Sequence, residues 1–62
     1  MKVRELINVV EADGWRQVRQ RGSHRQFKHS EKPGVVTIAG RRGVDVPKGT
    51  LYNVLKQAGL RL

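Results

Sequence analysis

The sequence predicts a small α+β domain with the element order α-β-β-β-α, in which two helices pack on one face of a three-stranded antiparallel sheet. Apolar residues have helical spacing near both ends of the chain, and three segments between them lack it. Each predicted helix has a single apolar face, which it must bury against the sheet. The opposite face of the sheet is therefore expected to be open to solvent or to a ligand.

The first helix is predicted near the N-terminus. Its apolar residues fall at positions i, i+3, i+4 and i+7, which form one face of a helix: Val3, Leu6, Ile7 and Val10. Gly14 follows this segment and is expected to act as its C-terminal cap.

Three strands are predicted in the middle of the chain. The first two form a hairpin around Arg21-Gly22, because glycine tolerates the positive φ of a tight turn. A turn cluster at 31–34 separates the hairpin from a β-branched third strand. The predicted strands are Trp15–Gln20, Ser23–His29 and Val35–Ile38.

The second helix follows a flexible basic loop at 40–43. Pro47 suits the first turn of a helix, and Gly59 suits its end. Between them, one-face spacing recurs at Leu51, Val54, Leu55 and Ala58.

Composition limits what the protein is expected to be. A chain of 62 residues predicts one domain, 1–62, with a modest core. It has no cysteine, so it has no disulfide, and a reducing cytoplasm fits. The N-terminus alternates charged and apolar residues, unlike a secretory signal, and no apolar run reaches membrane-spanning length. We expect a cytoplasmic protein without a membrane contact.

The charge balance indicates the kind of partner. Thirteen Lys and Arg residues against five Asp and Glu give a formal net charge of +8. Such a charge favours a polyanion, because neutralised phosphates release counterions and add affinity. We rank nucleic acid first and an acidic protein second.

The second strand holds the main candidate for chemistry, His24. Side chains alternate across a sheet, so His24, Gln26 and Lys28 share one face while Arg25 and Phe27 share the other. Phe27 is strongly apolar and should point at the helices. His24 should then lie on the open face, among polar and basic residues.

A histidine in that setting suits RNA cleavage. An imidazole exchanges protons near neutral pH, so it can act on a 2′-hydroxyl or on a leaving 5′-oxygen. His24 and His29 lie on opposite faces and no cysteine or acidic pair is near them, so we expect neither a metal nor another cofactor. The simpler interpretation is that His24 is an ordinary surface residue and His29 a structural one.

Several other residues are candidate RNA contacts. Trp15 and Tyr52 could stack on bases, but Trp15 is expected in the core and Tyr52 partly buried at the helix rim. The polar and basic candidates share either the hairpin or the region before the second helix: Arg21, Ser23, Arg25, Gln26, Lys28, Arg41, Arg42 and Lys48.

The chain resembles the HicA family, whose members carry a Gly-Ser-His motif at the start of the second strand. The resemblance implies a fold like that of double-stranded-RNA-binding domains, metal-independent cleavage of mRNA, and a HicB-type antitoxin as partner. It implies that the motif histidine, here His24, is catalytic. The matching segments are Gly22-Ser23-His24 with Phe27, Gly14-Trp15, Val36-Thr37-Ile38, 48–51 and 54–59.

One segment departs from the family pattern. Members often carry Pro-x-His after the third strand, where this chain has Ala39-Gly40-Arg41. His24 is then the one histidine of the candidate site, so either it serves in both proton transfers or a cation, Arg41 or Lys48, stabilises the leaving group. A third alternative is that this departure reduces the activity.

The alternatives to an mRNA-cleaving toxin are a non-catalytic RNA-binding module and a small protein that docks an acidic partner. DNA binding by this chain alone is not expected.

Overall fold

The computed structural model describes residues 1–61 and has the predicted order of elements. Three strands form an antiparallel sheet with the order β1-β2-β3, as predicted. The hairpin turn is at Gly22-Ser23, one residue later than expected. The elements are α1 (Val3–Ala12), β1 (Arg16–Arg21), β2 (His24–Lys28), β3 (Val36–Ile38) and α2 (Lys48–Gln57).

The ends of α1 follow from its sequence. At the start, the Glu5 carboxylate accepts a hydrogen bond of 2.7 Å from the backbone N–H of Lys2, which satisfies a donor that the helix leaves unpaired. At the end, Asp13 is the C-cap residue. Gly14 follows it with a φ of +110°, which residues other than glycine rarely adopt. All four predicted apolar residues of α1 are buried.

In α2, Pro47 is the N-cap residue, and the helix begins at Lys48. Val54, Leu55 and Ala58 are buried as predicted. Tyr52 is 65% exposed, so its expected partial burial is wrong. It lies on the solvent side of the helix, beyond the apolar stripe that faces the sheet.

One hydrophobic core joins both helices to the sheet. Phe27 of β2 and Val36 and Ile38 of β3 are fully buried against α1 and α2, and so is Trp15, as expected. All six residues of β1 are exposed. The helices therefore cover β2 and β3 and leave β1 uncovered.

A bulge at Val18 changes the faces of β1. Gln17 pairs with Phe27 and Arg19 pairs with Gln26, so Val18 has no partner in the register. Directly opposed residues share a face. The bulge thus leaves Gln17 on the helix side, with Phe27, and turns Arg19 to the open side, with Gln26.

The C-terminal ends of both helices are linked by a polar cluster of Asp13, His29 and Lys32. The His29 Nδ1 accepts hydrogen bonds from the backbone N–H groups of Glu31 (3.0 Å) and Lys32 (3.2 Å). The Nε2–H of the same ring therefore donates a hydrogen bond of 2.7 Å to the Asp13 carbonyl. Lys32 Nζ donates to the Asp13 carboxylate (2.5 Å) and to the Ala58 carbonyl (3.0 Å). His29 thus has a structural role.

Asp13 should make stability depend on acid pH. The hydrogen bond from Lys32 holds the pKa of the Asp13 carboxyl below its ordinary value of 3.8. The pKa of Asp13 is therefore lower in the folded state than in the unfolded state. Its contribution to the free energy of unfolding is complete at pH values above the unfolded-state pKa, and it is lost as the pH falls through the folded-state pKa. We expect Asp13→Asn to have a lower Tm than the wild type at neutral pH, with the difference shrinking below pH 3.8.

Thermal unfolding followed by circular dichroism between neutral pH and strong acid measures this difference. Glu11→Gln removes an exposed carboxylate outside the cluster and serves as the control. A difference between wild type and Asp13→Asn that stays constant into strong acid would contradict the assignment.

Candidate nucleic-acid interface

The face of the sheet opposite the helices is polar and basic. His24, Gln26 and Lys28 alternate along β2 with the buried Arg25 and Phe27, so the predicted orientation of β2 is confirmed. Arg21 of β1 pairs with His24, and Thr37 of β3 pairs with Gln26. We call this surface the open face; it consists of Arg19, Arg21, His24, Gln26, Lys28 and Thr37.

A shallow pocket of about 200 Å³ lies on the open face at His24. Two arginines of β1 stand on one side of the imidazole, and a hydroxyl and an amide complete the lining. The lining residues are Arg19, Arg21, His24, Gln26 and Thr37. Such a pocket can hold an anionic group against two guanidinium groups while the imidazole exchanges a proton with it.

The positive charge of the open face is not neutralised within residues 1–61. Within these residues, Lys2 forms an ion pair with Asp45, and Lys32 forms one with Asp13. Neither belongs to the open face. Arg19, Arg21 and Lys28 have no carboxylate within 4 Å in this part of the chain, so their field is available to an anionic ligand.

Four other predicted contacts lie outside the pocket. Ser23 is in the hairpin turn, and its carbonyl accepts a 3.2 Å hydrogen bond from the Gly40 N–H. That bond holds the loop after β3 beside the turn. Arg41 and Arg42 of this loop are exposed, as is Lys48 at the start of α2. None of these four side chains lines the pocket.

Arg25 does not belong to this surface, which corrects its grouping with the RNA contacts. It is 6% exposed and lies on the helix side of the sheet, where Phe27 is the other buried residue of β2. Its guanidinium bonds backbone carbonyls instead of facing solvent. The alternation that places His24 outside necessarily places Arg25 inside.

Arg19 is the basic residue of the pocket that sequence reasoning missed. With Trp15 in the core, plain alternation puts positions 17, 19 and 21 on the helix side. The bulge at Val18 reverses this for Arg19 and Arg21. The run of polar residues in β1 carries no signal that locates such a bulge.

Within residues 1–61, no three His, Cys, Asp or Glu side chains gather as a group that could hold a metal ion. No helix in this part of the chain is long and apolar enough to cross a membrane.

The fold and the open face define a small α+β protein with the architecture of double-stranded-RNA-binding domains and a basic exposed sheet. Its sequence matches, over residues 3–60, the family model described as the HicA toxin of bacterial toxin-antitoxin. The chain therefore belongs to the HicA toxin family, as the resemblance predicted.

A solved structure supports this membership. The chain is similar to one in a structure titled "Toxin-Antitoxin complex from Streptococcus pneumoniae", with 31% sequence identity and a TM-score of 0.78. The likeness covers 97% of this chain and 98% of that one. No curated protein matches the sequence.

Proposed function

We propose that this toxin is an endoribonuclease that cleaves mRNA and blocks translation, with His24 as general acid and base. The observation that supports this most is the position of His24: an exposed imidazole in a pocket that it shares with two arginines of β1, neither of which has an ion-pair partner within residues 1–61. His29, by contrast, uses both ring nitrogens in structural hydrogen bonds.

The reaction that fits this pocket uses the RNA's own 2′-hydroxyl as nucleophile. His24 removes the 2′-hydroxyl proton, the O2′–P bond forms and the P–O5′ bond breaks. The same imidazole can return the proton to the leaving 5′-oxygen. The products are a 2′,3′-cyclic phosphate and a 5′-hydroxyl end, and the chemistry needs no cofactor.

Arg19 and Arg21 have the charge-stabilising role in this proposal. Negative charge builds on the phosphoryl oxygens in the transition state, where fixed cations stabilise it more than they stabilise the ground state. Both guanidinium groups border the same pocket as His24. In this proposal Lys28, farther along the same face, and the exposed cations Arg41, Arg42 and Lys48 extend the contacts to neighbouring phosphates.

The activity is tested by incubating the purified protein with a messenger transcript in excess EDTA and analysing the ends of the fragments. We expect fragments that end in 2′,3′-cyclic phosphate, and no cleavage at a site whose 2′-hydroxyl is replaced by hydrogen. Tight RNA binding without cleavage would instead identify a non-catalytic RNA-binding module. Cleavage of the 2′-deoxy site would exclude the 2′-hydroxyl as nucleophile.

RNA affinity should depend on salt through the arginines of the pocket. For single strands, the slope of log affinity against log salt changes by about 0.7 for each phosphate contact. We expect Arg19→Ala and Arg21→Ala each to reduce the slope by about that amount. Fluorescence anisotropy of a labelled RNA measures this slope. All variants carry His24→Ala as well, which prevents cleavage of the RNA.

Lys56→Ala is the matched control for these variants, because Lys56 is an exposed cation in the last turn of α2, away from the open face. An equal change in slope for all three variants would show that net charge, and not the pocket, governs binding.

We further propose a HicB-type antitoxin as partner, which covers the open face and blocks access to His24. The solved relative comes from a toxin-antitoxin complex, and the unneutralised charge of the open face suits an acidic partner surface. Addition of the cognate antitoxin should abolish RNA binding, and an antitoxin that leaves RNA binding intact would contradict this placement.

A further inference from the structure

Within residues 1–61, Arg25 is a buried cation without a counter-charge. Its side chain is 6% exposed, and no carboxylate of residues 1–61 lies within ion-pair distance of it. Its Nε is buried and has no hydrogen-bond partner in the described part of the chain. Burial of an unpaired charge opposes folding, and an apolar side chain of similar volume would often pack at lower cost. Stability alone therefore does not account for an arginine at this position.

The groups that Arg25 contacts are two backbone carbonyls that lie close to each other and next to the candidate site. Its Nη1 donates to the Gly40 carbonyl at 2.9 Å and is 3.4 Å from the Ser23 carbonyl. Ser23 immediately precedes His24, and Gly40 immediately precedes Arg41. The Ser23 carbonyl also accepts the Gly40 N–H at 3.2 Å. The turn before β2 and the loop after β3 are thus joined both by a backbone hydrogen bond and by one guanidinium group.

The backbone at Gly40 is adapted to this arrangement. Its φ is +111°, and a Cβ added there would lie 3.2 Å from Cγ2 of Val3. A side chain at this position would strain the backbone and push the loop away from α1. The loop that carries this carbonyl is therefore packed closely against α1.

We propose that Arg25 is a positioning residue for His24: from the buried side of the sheet it clamps the Ser23 and Gly40 carbonyls and so fixes the backbone that carries His24 and Arg41. Its kinetic consequence rests on the proposed ribonuclease function. The clamp itself is a property of the backbone and is measurable without RNA.

Arg25→Met tests the clamp, because methionine keeps most of the side-chain length and removes the donors. We expect kcat to fall about 100-fold, as for a misplacement of about 1 Å at a reacting group, while KM changes by less than about twofold because Arg25 does not face the RNA. Amide hydrogen exchange at Gly40 should accelerate at least about tenfold, while the Phe27 amide stays protected.

Two further variants complete the series. Arg25→Lys keeps a buried donor and should recover part of kcat and of the Gly40 protection. Lys56→Met removes one exposed cation far from the clamp and should change neither. If Arg25→Met does not fold, Gly40→Ala carries the test, since it displaces the bound carbonyl and leaves Arg25 in place.

Several results would overturn the proposal. An unchanged kcat with unchanged exchange at Gly40 would show that no clamp exists. A rise in KM alone would make Arg25 an RNA contact, and equal acceleration of all amides would make it a residue of general stability. If the wild type cleaves no RNA, the ribonuclease function fails by itself, and exchange at Gly40 still decides whether Arg25 orders this backbone.

Discussion

His24→Ala should reduce RNA cleavage by about 10²- to 10⁴-fold, the usual contribution of a general acid-base residue, and should abolish growth arrest on expression. The fold should survive, because an exposed side chain on the open face contributes little to packing and such substitutions change stability by less than about 0.5 kcal/mol. Cleavage assays of the purified variant, with its circular dichroism spectrum and Tm, measure both effects.

The second histidine provides the matched control. His29→Ala removes hydrogen bonds to Asp13, Glu31 and Lys32, so it should lower Tm while each folded molecule retains its cleavage rate. A His24→Ala variant that stays folded and fully toxic would exclude His24 as the catalyst. Loss of cleavage in His29→Ala at a temperature where it is folded would place the reaction elsewhere.

Phe27→Ala should have the largest effect on stability. Phe27 is fully buried in β2, in the core shared by the helices and the sheet, and truncation of a buried phenylalanine costs about 3–5 kcal/mol. The free energy of unfolding of an ordinary domain is only about 5–15 kcal/mol. A chain of 62 residues is expected near the lower end of that range. We expect a largely unfolded protein at 37 °C.

Urea unfolding of Phe27→Ala and of Val18→Ala makes this comparison. Val18 is 56% exposed at the bulge of the neighbouring strand, so its truncation should cost less than about 0.5 kcal/mol. A loss of under about 1 kcal/mol in Phe27→Ala would contradict its place in the core.

The pattern of the sequence was sufficient for the elements and for the direction of His24. Helical spacing identified α1 and α2 because each must bury one stripe of apolar residues. The single large apolar residue of β2, Phe27, determined which side of that strand faces the core. His24 then had to lie outside, since strand side chains alternate with a period of two. These are local consequences of periodicity and burial.

The composition of the pocket depended on the tertiary structure. Trp15 in the core would place Arg19 and Arg21 on the helix side by simple alternation, and only the bulge at Val18 turns them toward His24. The hydrogen bond from Arg25 likewise reaches Gly40, fifteen residues away in the sequence. A bulge and a long-range hydrogen bond arise when strands pair and loops pack, so the order of residues along one strand does not specify them.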